Sequence, residues 1–192
     1  MEKSQAIVIL VFLIPTWFLL EALIITTKER NFENESFMKR IALFPGSFDP
    51  FTKGHEDIIL RGLRIFDEVV IGIGNNATKK RYFPLEKMKH LIERTFESEP
   101  NVKVITYDDL TANIARQLGA TFLLRGLRNT TDFEYENGIS QVNRYVYEEI
   151  ETIFLITSPN LAPISSSIIR DLHRYGQDVD DFLPYSLSES GN

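Results

Sequence analysis

His55 follows Gly54 at the end of the run GSFDPFTKGH, residues 46–55, and heads an amphipathic stretch, which places its imidazole in a first helical turn. Unpaired backbone N–H groups and the positive end of the helix dipole favour an anion at such a place. Gly54 lets backbone approach a ligand where a side chain would intrude, and Asp49-Pro50 favours a turn. Lys53, Lys79, Lys80, Arg81, Arg125 and Arg128 fall in loops of the same kind, and Ser165, Ser166 and Ser167 open another helical stretch. Cations, hydroxyls and helix N-termini gathered at one rim suit phosphate chemistry carried by positioning and electrostatics. Other chemistries fit poorly. The three histidines lack the spacing of a zinc site. Gly72-Ile73-Gly74 precedes no helix and so is a weak dinucleotide fingerprint. Ser47 lacks the Gly-x-Ser-x-Gly elbow of a hydrolase nucleophile.

These residues need a scaffold that brings loops together, and the hydrophobic pattern supplies one. Residues 41–44 form an apolar run too short for a core helix, stopped by Pro45 and Gly46, as in a strand buried on both faces. Beyond it, helical periodicity over 55–66, 84–96, 110–118, 132–148 and 165–175 alternates with short apolar runs at 69–73, 102–105, 121–124 and 152–156. The alternation predicts an α/β fold, a doubly wound five-stranded parallel sheet with right-handed crossovers. Ligands in such sheets collect at the carboxyl ends of the strands, where the loops carrying these polar residues lie. The polar tail from residue 186 is expected to fray.

With 192 residues, 43% hydrophobic and 25% charged, the chain suits one folded domain. The absence of cysteine excludes disulfides, thiolate metal sites and a cysteine nucleophile. A formal charge of −6 argues against a general nucleic-acid binder, while locally gathered cations still allow a small anionic ligand.

GSFDPFTKGH resembles the (His/Thr)-x-Gly-His signature of the nucleotidylyltransferase superfamily, with Thr52 and His55 at its key positions, and ISSSIIR, residues 164–170, resembles the second signature. RGLR at 125–128 followed by DFEYE at 132–136 narrows the resemblance to the bacterial phosphopantetheine adenylyltransferases, and it extends from about residue 38 to 184. The resemblance implies a Rossmann-like fold and transfer of adenylyl from ATP to 4′-phosphopantetheine, giving dephospho-coenzyme A and pyrophosphate. It implies Mg²⁺ held mainly by the ATP phosphates, a cytoplasmic location and a homohexamer. By the same resemblance His55, Lys79 and Arg128 are catalytic. Ser47, Phe48, Gly126, Leu127, Glu136, Leu161, Ala162, Pro163, Ile164 and the three serines line the ATP site with His55 and Arg128. Ser47, Lys79, Thr111 and Arg125 hold phosphopantetheine. Rival readings are another transferase of the superfamily, such as a nicotinate-mononucleotide adenylyltransferase or a cytidylyltransferase, and a non-catalytic nucleotide sensor. RGLR with DFEYE disfavours the former, and joint retention of His55, Lys79 and Arg128 the latter.

Residues 1–37 have no counterpart in that resemblance. Their apolar stretch, 6–27, reaches bilayer-spanning length. It reads as a membrane anchor that leaves the domain in the cytoplasm, as a poor signal peptide, or as an extension upstream of a true start at Met38. The expected organisation is an extension over 1–37, a nucleotidyltransferase domain over 38–185 and a polar tail over 186–192, with membrane contact only if 6–27 is an anchor.

Overall fold

A computed structural model describes residues 39–75 and 80–187. The expectations for residues 1–37, for Lys79 and for the end of the tail lie outside the described residues. In order, the chain forms β1 (Ile41–Gly46), α1 (Lys53–Gly62), β2 (Glu68–Gly74), α2 (Leu85–Thr95), β3 (Val102–Tyr107) and α3 (Thr111–Leu118). It continues through β4 (Phe122–Leu127), α4 (Thr130–Val146), β5 (Glu151–Ile156) and α5 (Ser166–Arg174) to a short 3₁₀ turn at Asp180–Phe182. The five strands make one sheet in the order β3-β2-β1-β4-β5, every pair parallel.

Strand periodicity explains the double winding. Ala42 and Phe44 of β1, Val69, Ile71 and Ile73 of β2 and Leu124 of β4 share one core with Ile58 and Ile59 of α1 and Ile92 of α2. Leu43, Val70 and Leu123 point the other way, into a second core with Ala112 and Ala115 of α3 and Ile150. Both faces of the sheet are therefore covered, and burying each large aliphatic side chain contributes about 1.5–3 kcal/mol.

Two strands run past their expected ends. β1 continues through Pro45 and Gly46, and β4 continues through Arg125, Gly126 and Leu127 rather than ending at 124. The cause lies in the pairing. β1 pairs with β2 along its whole length, to Gly46↔Ile73, but with β4 only at Ala42↔Phe122 and Leu43↔Leu123. Past Leu43 the central strand is open on its β4 side, where a proline is tolerated as it would be at an edge. Arg125 bridges the opening by donating to the Pro45 carbonyl. The tail also departs from expectation at its start: Ser186 and Leu187 donate to the Asp180 carboxylate, and Lys87 donates to the Leu187 carbonyl. Among the described residues no helix is long and apolar enough to cross a membrane.

Candidate active site

Where β1 and β4 part, the strand order reverses direction, and this is the crevice where doubly wound sheets take ligands. Two cavities open there. The smaller, about 310 Å³, is bounded by the β1–α1 turn, Arg128 and the start of α5; the larger, about 880 Å³, lies toward β3, α3 and α4. They share Pro45, Gly46, Ser47, Arg125 and Glu136.

The β1–α1 turn is shaped by its own side chains. Phe48 takes a left-handed backbone (φ 43), which is sparsely populated for a large side chain. Its ring then folds over Gly46, where a Cβ would stand 2.7 Å from it and would have to push the ring aside. Thr52 caps α1 in a reciprocal box: its Oγ1 accepts from the His55 N–H at 3.4 Å, while His55 Nδ1 accepts from the Thr52 N–H at 3.0 Å. A ring nitrogen that accepts from an amide carries no proton, so the neutral imidazole has its proton on Nε2, away from the cap. Phe48, Phe51 and Phe44 surround the ring at 5.2, 5.3 and 6.2 Å. Burial first, then the charges of Arg125 and Arg128, push its pKa from 6.5 down to about 3. His55 is therefore a fixed neutral donor at neutral pH.

Gly54 and His55 lie in the first turn of α1, and the α5 N-terminus reaches the same cavity with Ser165, Ser166 and Ser167. The serine hydroxyls are engaged within the protein. Ser165 caps the Ile168 N–H, Ser166 donates to the Pro50 carbonyl at 2.8 Å, and Ser167 accepts from Arg170 at 3.1 Å. Ser165 and Ser167 only accept in these bonds and keep an O–H to donate, and α5 also offers a ligand the first-turn N–H groups of Ser166 and Ser167, which no intrahelical carbonyl can reach.

The arginines come with carboxylate partners. Arg125 holds Glu136 through two parallel hydrogen bonds, one of 2.7 Å, so this pair forms part of the wall between the cavities. Arg128 binds Asp132 at 2.9 and 3.0 Å from its side chain. Lys53, expected at the rim, instead donates to the Asp181 carbonyl at 2.7 Å.

Most of the anticipated residues converge. Ser47, Phe48, His55, Gly126, Arg128, Glu136, Ile164 and the serines line the smaller cavity, and Thr111 lines the larger with its hydroxyl 3.0 Å from that of Tyr107. Leu127 is turned into the fold and 8% exposed, and its carbonyl accepts from Thr157. Leu161, Ala162 and Pro163 lie outside the cavity wall, the Leu161 carbonyl standing behind Gly54. Sequence reasoning did not single out Tyr107, Tyr135, Ile139, Ser140 and Asn143, which line the larger cavity. The spacing Tyr135, Ile139, Asn143 on α4, four residues apart, is the signal that places them on one helical face. Asp49 was read only as a turn residue, yet its carboxylate accepts from the Tyr82 and Phe83 N–H groups at 2.8 Å each and joins the β1–α1 and β2–α2 connections.

Among the described residues no group of three or more histidines or carboxylates converges to hold a metal. The carboxylates nearest the smaller cavity are already engaged, Glu136 and Asp132 by arginines.

The family described as cytidylyltransferase-like matches residues 43–172. The phosphopantetheine adenylyltransferase of Cytophaga hutchinsonii is 60% identical over 150 residues, 78% of this chain and 100% of the relative. That of Flavobacterium johnsoniae is 54% identical over 145 residues, 76% of this chain and 95% of the relative. A solved bifunctional NMN adenylyltransferase/ADP ribose pyrophosphatase from Francisella tularensis superposes with a TM-score of 0.58 at 20% identity, over 77% of this chain and 46% of that one, a likeness of fold. The chain belongs to the cytidylyltransferase-like family and, within it, to the phosphopantetheine adenylyltransferases.

Proposed function

We propose that this protein transfers the adenylyl group of ATP to 4′-phosphopantetheine, forming dephospho-coenzyme A and pyrophosphate. The observation that carries the reading is the pair of cavities meeting at Ser47 and the Arg125–Glu136 wall, with a neutral His55 donor in the smaller one. ATP occupies the smaller cavity and phosphopantetheine the larger. An oxygen of the phosphopantetheine phosphate attacks the α-phosphorus of ATP. The new P–O bond forms as the bond to the β-phosphate oxygen breaks, and pyrophosphate leaves with the electron pair. A phosphate monoester is largely dianionic near neutral pH, so no general base and no covalent intermediate are required. The protein aligns two anions and stabilises the charge of the transition state. His55 Nε2–H, the first-turn N–H groups of α1 and α5, and the guanidinium of Arg128 are its donors. Lys79 is assigned the same role between the reacting phosphates.

Magnesium would arrive with ATP, held by its phosphates because the nearby carboxylates are already paired, and would neutralise phosphate charge. The enzyme works in the cytoplasm, where its substrates are made, and membrane contact follows only if residues 6–27 form an anchor. A homohexamer is supported by α4, which buries only Asn143 and leaves Tyr135, Val142 and Tyr145 71%, 63% and 92% exposed. Exposed apolar surface of this extent favours a covering partner. Light scattering should give a mass near six chains, and a stable monomer would exclude it.

Pyrophosphate release from ATP tests the activity. It should require 4′-phosphopantetheine and fail with nicotinate mononucleotide or glycerol 3-phosphate. Equal release with either alternative would move the chain to another transferase class, and ATP binding without release would make it a sensor.

A further inference from the structure

Consecutive carbonyls of the β1–α1 turn are each held by a side chain from elsewhere in the fold. Phe48 accepts from Arg81 at 3.3 Å, Asp49 from Arg170, Pro50 from Ser166 at 2.8 Å and Phe51 from the Tyr185 hydroxyl at 2.9 Å. The last contact differs in what lies across the peptide bond. The N–H of the same peptide unit, on Thr52, donates to His55 Nδ1 at 3.0 Å. We propose that Tyr185 is a positioning residue for adenylyl transfer, acting through the Phe51–Thr52 peptide unit to fix the tautomer and orientation of His55. That role rests on the adenylyl-transfer reading and supplies what holds its central donor.

A trans peptide points its C=O and N–H in opposite directions in one plane, so the Tyr185 O–H, the peptide unit and His55 Nδ1 make one continuous chain of hydrogen bonds. Such chains are cooperative: a carbonyl that accepts leaves its own N–H a stronger donor. A ring nitrogen kept as an acceptor leaves the proton on the other nitrogen, here Nε2. The Thr52 hydroxyl also stands 3.0 Å from Nδ1, so the ring keeps a second partner when the chain is cut, and the effect of cutting it is graded. Tyr185 is itself held firmly. Its ring packs against the clusters around Phe51, around Met88 and around Ile169 and Leu183. The Met88 sulfur lies 3.7 Å from its hydroxyl, a weak acceptor beside a carbonyl, so the proton goes to Phe51. Burial pushes the hydroxyl well above the usual tyrosine pKa, which keeps it a donor throughout the neutral range. The flanking chain is pinned as well: the Asp180 carboxylate accepts from Ser186 and Leu187, and Lys53 donates to the Asp181 carbonyl at 2.7 Å.

Tyr185→Phe removes the hydroxyl and keeps the ring. In nuclear magnetic resonance of the full chain with labelled histidine, the His55 Nδ1 signal of this variant should move toward that of an unprotonated ring nitrogen without a hydrogen bond. The single-turnover rate of pyrophosphate release from ATP and 4′-phosphopantetheine should fall about fivefold, with the KM for each substrate unchanged. Lys87→Gln removes a different contact of the tail, that to the Leu187 carbonyl, and should alter neither reading. An unmoved His55 signal or an unchanged rate in Tyr185→Phe, or equal changes in Lys87→Gln, would overturn the positioning role. A wild-type protein that releases no pyrophosphate would instead overturn the adenylyl-transfer reading, and the His55 signal would still test the hydrogen-bond chain.

Discussion

The two substrate cavities share a wall, but they are built in different ways. The smaller is built around one contiguous turn, residues 46–55, with the end of β4, the start of α4 and the N-terminus of α5 as its other walls, and its polar groups are fixed by hydrogen bonds within the protein. The larger is assembled from the ends of β2 and β3, the start of α3 and one face of α4, several of whose side chains are exposed. The contrast separates two tasks. Rigid donors around a phosphorus serve transition-state stabilisation, whereas a broad, partly apolar cavity suits a long substrate whose flexible arm needs area rather than angles.

His55 is where that contrast breaks most visibly. His55→Ala should lower kcat by roughly a hundredfold or more while the KM values for both substrates change far less. Steady-state kinetics with circular dichroism as a folding control checks it, and an unchanged kcat would return His55 to a capping role alone.

Acid stability sharpens the same point. The folded-state pKa of His55 lies below its unfolded value, so the unfolded chain binds the proton more readily. Stability is therefore fully present above about pH 6.5 and declines as the pH falls toward 3. Between pH 7 and pH 5 the wild type should lose roughly 2 kcal/mol more than His55→Ala in denaturant unfolding. Equal losses would place a proton on the ring or expose it to water.

Arg125 and Arg128 test whether the wall divides the substrates. The family resemblance implies that Arg125 serves phosphopantetheine and Arg128 ATP, with Gly126 and Leu127, read as part of a loop, between them. The segment is strand instead, and Arg125 faces both cavities. Arg125→Ala should thus raise both KM values about tenfold, and Arg128→Ala that for ATP only. A phosphopantetheine-specific effect of Arg125→Ala would restore the simpler division.

Gly54 gives the smallest effect and the cleanest sign. A Cβ there would meet Thr52, Thr157 and Leu161 at ordinary distances of 3.5–3.9 Å, so the fold itself tolerates alanine. Gly54→Ala should leave stability unchanged or raise it by up to about 1 kcal/mol, since alanine is the better helix former, yet weaken ATP binding. Thermal unfolding and ATP titration measure the two halves separately, and loss of stability would make the glycine structural.

How much of this was legible follows from the same contrast. The smaller cavity is encoded in consecutive residues whose chemistry and spacing survive without a fold: Gly46, Gly54, His55 and the serine run each announce a turn or a helix start. The sheet was legible because short apolar runs alternate with helical periods. The larger cavity was not, because Tyr107, Tyr135, Ile139 and Asn143 are ordinary residues until the winding of the sheet brings β3 and α4 to one edge. Pro45 misled for a physical reason: a proline breaks a strand that has two partners, and β1 and β4 separate just before it. The serines were expected to offer hydroxyls; the Ser166 O–H is directed to the Pro50 carbonyl, which no local pattern foretells, while Ser165 and Ser167 only accept, from Ile168 and Arg170.

The central claim is that the phosphate of one substrate, seated in the larger cavity, attacks the α-phosphorus of ATP seated in the smaller. Phosphopantetheine carrying heavy oxygen in its phosphate tests this most directly, with the products read by mass spectrometry. The mechanism predicts that dephospho-coenzyme A keeps all of the label, with one labelled oxygen bridging its two phosphorus atoms, and that pyrophosphate carries none. Label in pyrophosphate, or an unlabelled bridge, would contradict it.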